Sequence, residues 1–235
     1  MSQHLYVTGD MHGERARFTN PAYGIEGKLQ QGDILLICGD FKFIFDDDRR
    51  SEENAFLDEL ELRPYTILFC DGNHENFDRL ERYPVELWHG GSVHRIRSNL
   101  LHLMRGQVFD LLGKSFFVMG GGCSFDLHPC IEGKTWWRRE TPCGAEYDMA
   151  VENLKKRDNK VDYIITHTAP ISSMKAAAPD YVSDPLNYFL EWVQDHVQYQ
   201  AWYYGHLHLD MRLQLRQTVL YYQVQELETE AMPTV

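Results

Sequence analysis

Five short apolar runs, each stopped abruptly by polar residues of a few recurring kinds, constrain this chain more than any other feature of its sequence. Residues 5–7 run into Gly9-Asp10, residues 34–38 into Gly39-Asp40, and residues 66–70 into Asp71-Gly72-Asn73-His74. Residues 161–166 end at His167, and residues 201–204 end at Gly205-His206. Runs this short, rich in Val, Ile, Leu, Phe and Tyr, predict buried strands of a sheet covered on both faces.

Helical patterns lie between several of the runs. Ser51 is placed to cap a helix with Glu52 and Glu53 in its first turn and Phe56, Leu57 and Leu60 turned inward, stopping before Pro64. Asp184-Pro185 opens a second, in which Leu186, Phe189, Leu190, Val193 and Val197 recur at helical spacing. Tyr147, Ala150, Val151 and Leu154 form a third stripe, closed by Lys155, Lys156 and Arg157. Cations favour a helix C-terminus, and that reading of the triplet is preferred to a nucleic-acid contact.

In the middle, residues 93–97, 100–103, 108–112 and 115–119 read as short strands with tight turns, and suggest an antiparallel meander. Near the end, Leu207, Leu209, Met211, Leu213 and Leu215 alternate with polar residues, predicting a strand with one buried face paired to residues 219–224. No internal repeat, low-complexity tract or linker interrupts the chain. The expectation is an α/β fold over residues 1–235, a single domain of two packed sheets with outer helices.

The residues at the strand ends are Asp10 and His12, Asp40, Asn73 and His74, His167, and His206 and His208. Carboxylate, carboxamide oxygen and imidazole suit divalent manganese, iron or zinc. In open α/β sheets, ligand sites gather beyond the carboxyl ends of strands, so these distant segments are expected to converge. Gly9, Gly39, Gly72 and Gly205 each precede a candidate ligand, where the backbone is expected to turn sharply off its strand. His206 and His208 are two apart and would point to one face of an extended strand.

In type and order these residues resemble the calcineurin-like metallophosphoesterase family. The matching motifs are Asp10-Met11-His12, Gly39-Asp40, Gly72-Asn73-His74-Glu75, His167 within Thr166-His167-Thr168-Ala169-Pro170, and Gly205-His206-Leu207-His208, spanning residues 9 to 208. The resemblance implies a four-layer sandwich of two mixed sheets between helices. It further implies two divalent ions, manganese first, with iron or zinc as alternatives. One ion would take Asp10, His12, Asp40 and His208. The other would take Asp40, Asn73, His167 and His206, with Asp40 bridging. A hydroxide between the ions would attack a phosphomonoester or phosphodiester in line. His74 would act near the leaving oxygen, as acid or as stabiliser of developing charge. One departure stands out. In the protein Ser/Thr phosphatase branch an Asp-Arg-Gly follows the bridging Asp, whereas here Asp40 is followed by Phe41-Lys42-Phe43-Ile44-Phe45. The chain looks more like the small bacterial and phage phosphoesterases.

Composition narrows the partners. The chain's 235 residues carry 23 basic and 35 acidic side chains, a net charge of -12. That balance gives no support to broad binding of nucleic acid or an anionic membrane, which weighs against a nuclease of the same family. A non-catalytic scaffold on this fold is the other alternative, and the full ligand set with His74 argues for catalysis instead. No apolar run reaches the roughly 18 residues of a membrane span. The polar start leaves no room for a signal peptide, and the five cysteines include no Cys-x-x-Cys pair, so a cytoplasmic location is expected.

Other features remain open. Residues 120–126, Gly-Gly-Gly-Cys-Ser-Phe-Asp, read equally as a tight turn or as backbone amides lining a pocket. Residues 128–144 form an irregular stretch with Trp136, Trp137, Arg138, Arg139 and Glu140, suited to a lid or binding loop. Arg138 or Arg139 is the candidate contact to substrate phosphate, and the tryptophans serve equally as anchors to the core. Asp46-Asp47-Asp48 reads as a solvated loop before a helix rather than a third cation site. Cys123, Cys130 and Cys143 lack the spacing of a zinc site. His4, His89, His94, His102 and His196 fit no ligand pattern and are read as structural.

Overall fold

The structure, a computed structural model, describes residues 3–124, 130–214 and 216–229. The first half runs β1 (Leu5–Thr8), α1 (Ala16–Thr19), β2 (Ile34–Ile37), α2 (Arg50–Glu61), β3 (Thr66–Phe69), α3 (Phe77–Leu80), β4 (Val85–Trp88), β5 (Gly91–Arg97) and β6 (Leu100–Leu103). The second runs β7 (Gln107–Leu111), β8 (Lys114–Met119), α4 (Gly144–Lys155), β9 (Tyr163–Thr166), α5 (Ile171–Ala177), α6 (Pro185–His196), β10 (Ala201–Tyr204), β11 (Met211–Arg212), β12 (Gln217–Val219) and β13 (Gln225–Leu227). They build a seven-stranded sheet, β13-β1-β2-β3-β6-β5-β4, and a six-stranded sheet, β11-β12-β10-β9-β8-β7. Both sheets are mixed. The run β1-β2-β3 is parallel, as is β8-β9-β10, and the hairpins and β13 are antiparallel.

Side-chain alternation along the strands creates the four layers. Leu5, Val7, Leu36, Cys38 and Leu68 of the first sheet meet Phe109, Phe116, Val118, Tyr163 and Ile165 of the second in a central core. Their neighbours point outward. Tyr6, Leu35, Ile37, Ile67 and Phe69 pack under Phe18 of α1 and Phe56, Leu57 and Leu60 of α2. On the other side Phe117, Met119, Ile164, Trp202 and Tyr204 pack under Ala150 and Leu154 of α4, Met174 of α5, and Leu186, Leu190 and Val193 of α6. Every residue of β1, β2 and β9 is buried, as strands covered on both faces require.

Local expectations were met unevenly. The helix opened by Asp184-Pro185 is α6, and Asp184 and Asn187 form a reciprocal capping box. α2 begins two residues early, at Arg50, and no side chain caps it; Ser51 lies in its first turn. The expected meander is two hairpins on opposite sheets. β5-β6 belongs to the first sheet and β7-β8 to the second, with residues 104–106 crossing between them. Period-two patterning identifies strands but carries no mark of their sheet. The expected strand over residues 207–215 shrinks to β11, paired with β12, and Leu215 lies outside the described residues. Leu209 and Met211 are exposed, and the backbone of residues 206 and 208 is left-handed, which no strand tolerates. The segment after residue 219 leaves this sheet, and β13 pairs with β1 in the other.

The carboxyl ends of β1, β2, β3, β9 and β10 carry the candidate ligands, and α6 helps fix one of the loops between them. Fully buried Asn187 accepts from the Asp184 amide at 3.0 Å and donates to Thr168 Oγ1 at 3.0 Å and the Ala169 carbonyl at 2.8 Å, just after His167. Asp184→Ala removes only a cap and should cost about 0.5–2 kcal/mol. Asn187→Ala should cost more, because each buried group it orphans is worth about 1–3 kcal/mol. Urea unfolding with an unchanged m-value measures both, and equal losses would show that the tie to residues 168 and 169 carries no stability.

Candidate metal centre

Each candidate ligand follows a strand end, and the buried carboxylates organise the rest. Asp10 and Asp40 lie beyond the neighbouring strands β1 and β2 and are shielded from solvent. Both Asp10 oxygens accept the His206 amide, at 3.0 and 3.1 Å. Burial alone would raise the Asp10 carboxyl, but hydrogen bonds from His12 and His208 and the charge of His167 hold it well below the carboxylate range.

Four of the candidate ligands hold left-handed backbone without being glycine: His12 at φ 49°, Asp40 at 47°, His206 at 67° and His208 at 51°. Non-glycine residues in this region cost about 1–3 kcal/mol each and collect at functional sites. Gly9, Gly72 and Gly205 do not carry that strain, since their own φ lies outside the left-handed region. Close approach explains all three, and a Cβ on Gly9 would collide with the Leu220 carbonyl. A Cβ on Gly205 would collide with Asp10 Oδ1, and one on Gly72 with Asp40 Oδ1.

The donor atoms fall into two sets. In the first, His208 Nε2 lies 3.2 Å from Asp10 Oδ2, and His12 Nε2 lies 3.6 Å from both Asp10 Oδ2 and Asp40 Oδ2. All four ligand atoms of Asp10, His12, Asp40 and His208 lie within 4.8 Å of one another. In the second, Asn73 Oδ1 lies 2.9 Å from His167 Nε2 and 3.0 Å from His206 Nδ1, while Asp40 Oδ1 lies 3.5 Å from His167 Nε2. Metal bonds of about 2.0–2.2 Å place neighbouring donors roughly 3.0–3.5 Å apart around one ion, so the spacing fits a cation in each set.

The proton inventory fits too. His167 Nδ1–H donates to the Cys38 carbonyl at 2.9 Å, so the neutral ring presents a lone pair at Nε2. That lone pair faces the carboxamide oxygen of Asn73 and Nδ1 of His206, the latter at 3.2 Å. With both rings neutral and these two nitrogens unprotonated, three acceptor atoms converge, and a divalent cation would reconcile them. Burial, then the charge of His167, pushes His206 down to about 3, which keeps its ring neutral. Burial likewise opposes a charge on His167, but Asp40 and Asp10 raise it overall.

The structure therefore brings together Asp10, His12, Asp40, Asn73, His167, His206 and His208. His206 and His208 do not share a face of a strand; the left-handed loop sends one to each set. His74 is half-buried at the rim, its ring centroid 5.5 Å from that of His12, and its amide donates to Asp40 Oδ1 at 2.8 Å. Where the resemblance leads one to look for an Asp, Phe43 is a core residue packed on Phe18, Phe41 and Phe56. Arg138 and Arg139 make no hydrogen bond or ion pair with the cluster. Arg139 is held by Asp78 and Glu81, and both arginines line a separate cavity of about 640 Å³ with Phe77, Met104 and Arg105.

Several supporting residues escaped the sequence reading. Tyr181 Oη lies 3.3 Å from His206 Nε2. Buried Asp71 joins His102 Nε2 at 3.1 Å and Arg105 Nη2 at 2.6 Å. Glu75 accepts the amides of Phe41 at 2.7 Å and Lys42 at 3.2 Å. Of these only Glu75 had a signal, its place in Gly72-Asn73-His74-Glu75. The amides of Gly121, Gly122 and Ser124 are spent on Asp71 and Glu140, which favours the tight-turn reading; Phe125 and Asp126, with residues 128 and 129 of the next stretch, lie outside the described residues. Asp46-Asp47-Asp48 leads into α2 as a loop, with the Asp46 amide on Glu53 and Asp47 paired to Arg50.

A family model described as calcineurin-like phosphoesterase matches residues 4–210. Comparison with curated proteins finds no match.

If Asp40 serves both donor sets, Asp40→Asn should lower metal content from two ions and nearly abolish hydrolysis; elemental analysis of fully active protein with one ion or fewer would sink the shared role. Glu140, buried beside Ser124, supplies a pH signature. Burial pushes its carboxyl up from 4.5 to about 7, so its proton favours the folded state below 4.5 and that contribution fades as pH rises through about 7. In metal-free protein, wild-type stability should therefore fall relative to Glu140→Gln between those pH values, as measured by urea midpoints.

Proposed function

Since the chain belongs to the calcineurin-like phosphoesterase family, we propose that it is a metal-dependent hydrolase of a phosphomonoester or phosphodiester with two cation sites sharing Asp40. One observation carries this reading. Asp40 turns Oδ2 towards His12 and Oδ1 towards His167, so a single buried carboxylate faces both donor sets. Asp10, His12, Asp40 and His208 would hold one divalent ion, and Asp40, Asn73, His167 and His206 the other. Imidazole with oxygen donors suits manganese, iron or zinc. When bound, the ions would supply Lewis-acid charge to the phosphoryl oxygens and acidify water.

The remaining work falls to the chain's own residues. The His167–Cys38 bond fixes one imidazole tautomer, and the two Asp10 bonds to the His206 amide fix the loop that carries His206 and His208. His74, anchored through its amide to Asp40, presents a ring at the rim, where it would give a proton or a hydrogen bond to the departing oxygen. Arg138 and Arg139 enter this reading only for a substrate whose leaving group extends into the cavity they line. The net charge of -12 favours a small phosphate ester over a nucleic acid strand. No helix among the described residues is long and apolar enough to cross a membrane.

Manganese-loaded protein should turn over nitrophenyl phosphate or its diester; metal binding without turnover on any phosphorylated metabolite, nucleotide or nucleic acid would leave a binding scaffold as the better description. His74→Asn should cut kcat by about 10²–10⁴-fold while both metals stay bound. The loss should be larger for alkyl esters than for nitrophenyl esters, whose leaving group needs little protonation. Equal losses for both, or loss of metal, would rule out the acid role.

A further inference from the structure

We propose that the cavity of about 640 Å³ beside Asp71 is a second binding site, separate from the metal centre. Its ligand is a small planar aromatic molecule with an N–H group at its inner end and an anionic group at its outer end. The volume lies within the roughly 300–1,000 Å³ of small-molecule sites, which combine apolar walls with a few placed polar groups. Phe77 and Leu80 of α3, with Met104 and Pro142, supply the apolar walls. None of the lining residues is a candidate metal ligand or His74. Their closest link to the centre along the chain is Asp71, two residues before Asn73.

The inner polar group is His94. It is only 5% exposed, and its ring lies within 4° of parallel to that of His102. The two rings meet edge to edge, with their Nδ1 atoms 2.9 Å apart. His102 Nε2 donates to Asp71 Oδ1 at 3.1 Å. With both rings neutral, His102 Nδ1 accepts, His94 Nδ1 donates, and the unshared lone pair falls to His94 Nε2. Burial, with His102 beside it, pushes His94 down to about 4, which keeps that ring neutral. His94 Nε2 has no partner among the described residues and is not sealed in the core, so it opens on the cavity that His94 lines. An acceptor in that position calls for a donor. The outer polar group is Arg138. Of the three guanidinium groups in the walls, Arg105 is taken by Asp71 at 2.6 Å and Glu146 at 3.4 Å, and Arg139 by Asp78 and Glu81. The exposed Arg138 side chain makes no hydrogen bond or ion pair among the described residues, and its fork suits a carboxylate, sulfonate or phosphate.

The probe is 6-anilinonaphthalene-2-sulfonate, which joins aromatic rings to an N–H at one end and a sulfonate at the other. Equilibrium dialysis of the whole metal-free chain should find one bound molecule per chain. Two relatives each lack one group: naphthalene-2-sulfonate has no N–H, and N-phenyl-2-naphthylamine has no sulfonate. His94→Leu should weaken the full probe about 5-fold and naphthalene-2-sulfonate not at all. Arg138→Gln, a surface change that leaves the core intact, should weaken both sulfonates about 10-fold and spare N-phenyl-2-naphthylamine. Met104→Trp should fill the cavity and abolish binding of all three, with thermal unfolding to show that each variant folds. Inorganic phosphate, which a metal centre would hold, should not displace the probe from Mn²⁺-loaded protein. Four results would each overturn the inference while leaving the phosphoesterase reading intact. They are no binding by wild type, unaltered binding by folded Met104→Trp, losses in Arg138→Gln that ignore which group the probe carries, and displacement by phosphate.

Discussion

Asp40 is the residue on which the strand-end loops hang. Its carbonyl accepts the amides of Met11 at 3.1 Å and His12 at 2.8 Å, and its Oδ1 accepts the His74 amide at 2.8 Å. The loops after β1, β2 and β3 are thereby joined at one point, and each carries a candidate ligand. A left-handed φ of 47° is the cost of this geometry. Hydrogen bonds to a charged acceptor contribute about 1.5–3 kcal/mol each, enough to hold about 1–3 kcal/mol of backbone strain. Glu75 completes the turn by accepting the next two amides. Burial and the charge of Asp40 drive the Glu75 carboxyl well up.

Buried cations brace the acidic centre from behind. Arg17, wholly buried, donates to the Asp10 carbonyl at 2.6 Å, Thr8 Oγ1 at 3.0 Å and the Tyr221 carbonyl at 2.7 Å. The Tyr221 ring stacks on His208 with centroids 4.7 Å apart. One guanidinium thus fixes both Asp10 and the support of the histidine opposite it. On the far side, Arg105 and His102 hold the Asp71 carboxyl well below its usual range against the pull of burial. Asp71 lies two residues before Asn73, so this pairing stiffens the loop that carries the amide. Breaking such a pair leaves an uncompensated buried charge, which is far costlier than the pair is worth.

The parts of the fold that the sequence made legible are those written in short-range pattern. Strand ends carrying Asp, Asn or His, most of them beside a glycine, marked out the residues that the fold gathers into the two donor sets, because ligand chemistry restricts residue type as well as position. The strand runs and the helix at Asp184-Pro185 were equally plain. What the pattern could not carry was partnership across the chain. The hairpins β5-β6 and β7-β8 look alike as sequence, yet their edges are taken by β3 and β9, distant strands of different sheets. The supporting side chains were hidden for a related reason. Arg17, Glu140 and Tyr181 are ordinary residue types in ordinary surroundings, and only the folded chain shows what they touch.

The segment His206-Leu207-His208 shows how a misread local conformation can still pick out residues that the fold brings together. Alternation made it look like a strand with both histidines on one face, which would have served a single ion. Left-handed backbone at both histidines turns them apart, so Nδ1 of His206 reaches Asn73 while Nε2 of His208 reaches Asp10. The alternating Leu207 and Leu209 then have no common face to bury, and Leu209 stays exposed. Asp210 holds the bend by accepting the amides of Tyr221, Tyr222 and Gln223 at 2.8, 3.1 and 3.0 Å. A strand would have satisfied these amides with its own backbone. Here a side chain does so, and the freed backbone can place two histidines, two residues apart, in two different donor sets.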